Sequence, residues 1–181
     1  MWKWKGRIVY GGDAIRNIFG DEVLFEDVGT VPSTMTATRC LAAAKALYPD
    51  MELLMADCLR AYTQAKMTGV TSYVRLPRAW WPAHWHGKYK DPVVPLERAL
   101  YGHPAAGDMW HSKISSVLKA IGFQEVESWP SVYIKRGETP SKNQAITLYV
   151  DDLVMLGGTG LRGTIAKIRE HIETEDPVPL D

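Results

Sequence analysis

Tyr149-Val150-Asp151-Asp152 sets two adjacent acids in a stretch, Ala145 to Leu156, that is otherwise apolar except for Thr147. Flanked in this way, the pair escapes burial by sitting on the turn of a hairpin. A plain tight turn uses Asn-Gly or Asp-Gly, because the favoured hairpin turns need positive φ. Asp-Asp forgoes that advantage and adds repulsion of about 4 kcal/mol at ~4 Å and an effective dielectric near 20. A bound hard cation such as magnesium offsets the repulsion through carboxylate oxygens. The competing reading is an exposed polar turn. Asp57 adds a third acid at the end of another apolar run, Met51 to Ala56. Two divalent ions held by such acids activate a hydroxyl nucleophile and stabilise a leaving phosphate. Separation along the chain leaves open whether Asp57 meets Asp151.

Other residues offer chemistry less firmly. Gly158-Thr159-Gly160-Leu161-Arg162-Gly163 has the spacing of a dinucleotide fingerprint between a strand and a helix. Its strand follows directly on Asp151-Asp152, however, where a parallel strand would be buried on both faces. No second strand with a ribose-binding acid follows. The glycines read as a hairpin-to-helix connection. His84, His86, His103 and His111 lack the neighbouring cysteines and tight spacing of a structural zinc site, so they read as surface or packing residues. Cys58 beside Asp57 suggests a nucleophile, but its segment holds no histidine, and a buried thiol is the simpler expectation. Met1-Trp2-Lys3-Trp4-Lys5 is a stacking platform or a frayed terminus.

These groups sit in a chain of 181 residues with 21 basic and 21 acidic side chains, a length that suits one domain. An apolar share of 46% with 23% charged residues excludes wholesale disorder. Zero net charge excludes a uniformly basic nucleic-acid coat while allowing a local basic groove. Two cysteines, Cys40 and Cys58, are too few for a disulfide scaffold and suit a reducing compartment. No apolar run approaches the roughly 18 residues of a membrane span, and the start lacks a signal-peptide core. The expectation is a protein that is not secreted and has no membrane partner.

Local patterns supply the elements. Arg7–Tyr10 reads as a short strand closed by Gly11-Gly12, and 13–31 as mostly irregular. Ser33 reads as the N-cap of an Ala-rich helix over Thr34–Leu47 that Pro49 stops. Met51–Ala56 and Thr71–Leu76 read as strands. From Pro77 to Pro95, four prolines, three tryptophans and two histidines make an irregular arm. Together with Arg75 it gathers Arg78, Lys88 and Lys90 against a single acid, Asp91. Asp108 reads as the cap of a helix whose Trp110, Ile114, Val117, Leu118 and Ile121 share one face, with Gly122 at C′. Ser131–Lys135, Ala145–Val150 and Leu153–Leu156 read as strands. A last helix over about Gly160–Ile172 carries the stripe Leu161, Ile165, Ile168 and Ile172. The order is mixed α/β with antiparallel hairpins.

Tyr149-Val150-Asp151-Asp152 followed by Leu-Val-Met-Leu-Gly resembles the catalytic hairpin of reverse transcriptases. Further blocks resemble those of copia-type LTR retrotransposon polymerases and come in the same order. They are Lys5-Gly6-Arg7-Ile8-Val9, Leu54 to Tyr62 around Asp57, Tyr73 to Pro77, Leu96 to Gly102 followed by Trp110, and Gly122-Phe123 with Ser131 to Ile134. Together they span about residues 3–173.

The resemblance implies an α/β (α+β) fold: the fingers and palm of a right-hand polymerase, with a mixed or antiparallel sheet and packed helices. Fingers would cover about 1–50 and 63–103, and palm about 51–62 and 104–181. It implies an RNA-directed DNA polymerase in which Asp57, Asp151 and Asp152 are catalytic and hold two Mg2+ ions, or Mn2+, with the Cys58 backbone assisting. Lys5 and Arg7 would hold the triphosphate, and Tyr62 would stack under the incoming sugar and exclude a 2′-hydroxyl. Partners would be an RNA or DNA template-primer, deoxynucleotide triphosphates and the rest of a Pol polyprotein. Thumb, ribonuclease H and integrase sequences are not recognisable here. The location would be cytoplasmic, in a virus-like particle, or nuclear. Two departures stand out: Ala105 replaces the family Gln, and Asp108 replaces an Arg. They imply that this chain alone is a poor polymerase or none. The alternative reading is a catalytically inactive transposon-derived remnant that binds nucleic acid.

Overall fold

The computed structural model describes residue 6, residues 8–23 and residues 30–180. Along the chain come α1 (Met35–Leu47), β1 (Glu52–Asp57), α2 (Ala61–Gln64), β2 (Tyr73–Arg75), β3 (Val93–Pro95) and α3 (Ala106–Ala120). Then follow β4 (Gln124–Val126), β5 (Trp129–Lys135), β6 (Gln144–Tyr149), β7 (Asp152–Gly157), α4 (Leu161–Arg169) and β8 (Val178–Pro179). Six strands form one sheet in the order β4-β5-β6-β7-β1-β8, every neighbour antiparallel. β2 and β3 pair separately at the base of the arm. The architecture is the expected mixed α and β with an antiparallel sheet.

Period-2 alternation sorts the sheet's two faces. Leu53, Val154 and Leu156 pack with Leu41 of α1 on one side. Leu54, Ala56, Ile146, Leu148, Leu153 and Met155 face the larger core on the other. There Trp110, Ile114 and Leu118 of α3 and Leu161, Ile165 and Ile168 of α4 close over them. Both helical stripes read from the sequence are therefore the buried faces. α3 ends as its glycine foretells. Gly122 takes φ 97°, its N–H bonds the Lys119 carbonyl, and the Phe123 N–H bonds that of Leu118. That pair of bonds is a Schellman stop.

Several local expectations need correction. The N-cap of α1 is Thr34, whose hydroxyl accepts from the Ala37 N–H at 3.3 Å. Ser33 instead lies buried ahead of the helix, its N–H bonded to the Leu148 carbonyl. α3 begins before Asp108, which lies in its first turn, because the His103 ring accepts the Ala105 N–H and the His103 carbonyl that of Ala106. Residues 8–10 form no strand; the Tyr10 N–H bonds the Tyr101 carbonyl at the Tyr101-Gly102 turn. The arm's far end is not irregular but pairs as β3. α4 is shorter than expected, although Ile172 still completes its buried stripe. Cys40 and Cys58 carry free thiols, exposed and buried respectively. Among the described residues no helix is long and apolar enough to cross a membrane.

Candidate active site

β1 and β7 run in register so that Asp57 and Asp152 are direct Cα partners. The Cys58 N–H donates to the Asp151 carbonyl at 2.7 Å. That bond marks Asp57·Asp152 as a non-hydrogen-bonded pair, a class with Cα atoms ~4.5 Å apart and side chains on one face. Like charges so placed destabilise a sheet. Tyr149 pairs with Asp152 across the hairpin. The two turn residues are thus Val150 and Asp151, one position earlier than the sequence suggested. The turn does take positive φ, at Val150 (φ 55°), where a β-branched residue is strained. Asp151 stands at the tip and Asp152 opens β7, so all three acids occupy one end of the sheet.

The charges act on their neighbours. The Asp152 carboxyl is raised above the ordinary range by burial and then by Asp151. The Cys58 thiol is pushed up to about 12 by burial, with Asp57, Asp151 and Asp152 adding to it. Burial and the three acids thus favour the protonated thiol, as the simpler expectation of a buried thiol has it. Burial raises the Tyr62 phenol, with a further push from Asp151. Tyr62 lies half-buried on α2, its ring 4.7 Å from that of Tyr101. Lys5 and Arg7 lie outside the described residues.

Among the described residues no three His, Cys, Asp or Glu side chains form a ready clasp for a metal ion. The histidines expected at surface or packing positions divide accordingly: His84 and His86 are exposed, and His103 is buried. The acids' chemistry nevertheless fits a hard divalent cation. Three acids on two facing strands and their turn share one edge of the sheet, and positive charge relieves their repulsion. The dinucleotide alternative does not fit, since β7 is antiparallel to both its neighbours.

Two supports were not legible from local pattern. Trp110 fills the core as its periodicity implies, but its indole N–H also donates to the Val150 carbonyl at 2.6 Å. Gln64 ties the other side of the site. Its Nε2 donates to the Leu59 and Glu173 carbonyls and its Oε1 accepts the Glu173 N–H. A cavity of about 160 Å³ lies between Tyr62, Gly107, Trp110, Leu148 and Val150. The arm exposes Trp80 and Tyr89, with Arg78 over the Trp81 ring, Lys88 over the Tyr89 ring and Arg75 paired to Asp91 at 2.7 Å.

The profile of the family described as reverse transcriptase (RNA-dependent DNA polymerase) matches residues 2–176. The chain belongs to that family. No curated protein gives a significant match. Among solved structures, one of telomerase from Candida albicans, in complex with a fragment of telomeric RNA, superposes with a TM-score of 0.37 at 9% identity. The match covers 87% of this chain and 32% of the telomerase chain, so this chain spans about a third of that protein's length.

Proposed function

We propose that this chain is the fingers-and-palm part of an RNA-directed DNA polymerase from a copia-type LTR retrotransposon. The observation that carries the reading is the facing pair Asp57·Asp152 with Asp151 on the adjoining turn. In it, Asp57 and Asp151 are the principal carboxylate ligands, Asp152 adds charge beside them, and the Cys58 backbone completes the edge. Two Mg2+ ions bound there, or Mn2+, would supply activation of the primer hydroxyl and neutralisation of the leaving phosphate.

The chain's own side chains position the rest. Trp110 holds the turn that presents Asp151. Tyr62, on the element after Asp57, is placed to pack beneath a deoxyribose and to fill the space of a 2′-hydroxyl. The arm supplies two exposed aromatic faces and the cations Arg78, Lys88 and Lys90 for a template strand, since bases stack on such rings whatever their sequence. Palm then corresponds to about 51–62 and 104–181 and fingers to the remainder. Polyprotein context, and a place in a cytoplasmic particle or the nucleus, belong to the same proposal.

Primer extension with magnesium and deoxynucleotides, on the domain joined to a thumb, tests the reading. Template-dependent product that Asp151→Asn abolishes supports it, and equal product from Asp151→Asn contradicts it. A second reading, a nucleic-acid-binding remnant without activity, draws on Ala105 and Asp108. Ala105 caps α3 without a side-chain bond, and Asp108 puts negative charge in its first turn. A new anion near a triphosphate path opposes binding.

A further inference from the structure

α2 has two faces. Tyr62 looks toward Val150 and Trp110, while Arg60, Thr63 and Gln64 line a separate cavity of about 490 Å³. An adjoining space of about 420 Å³ shares Gln64, Arg98 and Lys113 and reaches Lys66. The two meet at those three residues as a groove along α2 and α3. Its cations are Arg60, Lys66, Arg98, Lys113 and Arg169, and its acids are Glu170 and Glu173.

The backbone forces two of these cations together. Residues 65–67 pair with 97–99 through bonds from the Ala99 N–H to the Ala65 carbonyl and from the Met67 N–H to the Glu97 carbonyl. This folds Arg98 back over the end of α2, and α3 brings Lys113 from the other side. Arg98 Nη1 and Lys113 Nζ both donate to the Gln64 carbonyl, at 2.9 and 2.8 Å. Two positive groups on one oxygen repel. Burial and then Arg98 hold the Lys113 ammonium below its ordinary range, while Glu173 works the other way. Arg60 is paired with Glu173, and Arg169 with Asp176. Among the described residues Arg98 and Lys113 have no ion-pair partner, and each spends one donor on Gln64. A guanidinium offers five N–H donors and an ammonium three. Both side chains line the groove.

We propose that this groove is a phosphate-binding site separate from the carboxylate edge, with Arg98 and Lys113 as its anchoring pair. A phosphoryl group matches it because several oxygens accept divergent donors at once, and its charge cancels the repulsion between the two cations. The phosphoryl group belongs either to a nucleic-acid backbone or to a free diphosphate. The proposal does not rest on polymerase activity and stands if primer extension fails.

The test is a chemical-shift titration of the isotope-labelled chain at low ionic strength, once with inorganic pyrophosphate and once with a short single-stranded oligonucleotide. Signals of Gln64, Lys66, Arg98 and Lys113 should move saturably with at least one of them. Pyrophosphate alone assigns a free diphosphate, and the oligonucleotide alone assigns a backbone phosphate. In Arg98→Gln/Lys113→Gln the affinity should fall by about tenfold for each charge-assisted hydrogen bond removed. Arg39→Gln/Arg136→Gln, with the same loss of charge from exposed positions outside the groove, should leave pyrophosphate affinity unchanged. The proposal is overturned if neither anion moves the groove signals, or if both double variants weaken pyrophosphate equally. Should the groove variant fail to fold, the shift map of the unaltered chain decides.

Discussion

The indole N–H of Trp110, in the middle of the buried face of α3, grips the Val150 carbonyl at the tip of the β6–β7 turn. One side chain thereby couples the packed core to the turn that carries Asp151. Trp110→Phe keeps most of the packing and removes only the donor. It should cost about 1 kcal/mol of stability and speed amide exchange at Asp151 to Leu153. In an active polymerase it should lower kcat more than it changes KM. Unchanged exchange at the turn would show that the bond holds nothing in place.

The facing acids should weaken the metal-free fold. Because the Asp152 carboxyl is raised in the native state, the folded chain takes up its proton at a higher pH than the unfolded chain does. This group therefore favours folding as pH falls through that raised range and opposes folding as pH rises through it. Asp152→Asn should raise the Tm at neutral pH, by the equivalent of roughly 0.2–1 kcal/mol, and remove the gain in stability that this carboxyl contributes on acidification. Thermal melts from pH 4 to 8, with chelator present, check both; a lower Tm for Asp152→Asn would sink the idea.

His103 works in the opposite sense. Its Nδ1 accepts the Ala105 N–H, so Nε2 is the donor to the Ser72 hydroxyl, 2.9 Å away. Burial holds the ring below the ordinary histidine range, which favours its neutral form. As pH falls below 6.5 the unfolded chain takes up a proton that the folded chain resists, so stability is lost until the lowered native pKa is passed. Protonation also breaks the cap of α3. Chemical denaturation should show this slope in the unaltered chain and its absence in His103→Gln; an identical slope in both would refute the assignment.

Tyr62→Ala tests the proposed contact with the incoming sugar. In an extending polymerase, Tyr62→Ala should increase ribonucleotide incorporation relative to deoxynucleotide, because it empties the space beside Asp151 where a 2′-hydroxyl would lie. Competition assays with paired nucleotides measure the ratio. No change would remove Tyr62 from sugar selection.

The carboxylate hairpin was legible in the sequence because apolar strands leave adjacent acids nowhere but a turn. The α3 and α4 faces were legible because burial on one stripe leaves a helical period, as with Trp110, Ile114 and Leu118. What escaped depends on partners far along the chain. The turn moved to Val150-Asp151 because β1 and β6 both fix the register of β7 at Asp152. His103 took over the capping expected of Asp108 through a ring whose orientation Ser72 sets. Gln64 in a short helix gave no local sign that it ties residues 59 and 173. The groove cations were equally silent, since Arg98 and Lys113 meet only through the Gln64 carbonyl.

If Asp57 and Asp151 hold divalent metal as proposed, paramagnetic Mn2+ reports it by local broadening of amide signals. With the isotope-labelled 181-residue chain, sub-stoichiometric Mn2+ should broaden signals around Asp57, Cys58 and Val150 to Leu153 before all others. Excess Mg2+ should reverse the effect, and Asp57→Asn/Asp151→Asn should abolish it. Broadening that is scattered over the surface, or that survives the double substitution at the same sites, would rule out a metal site at these acids.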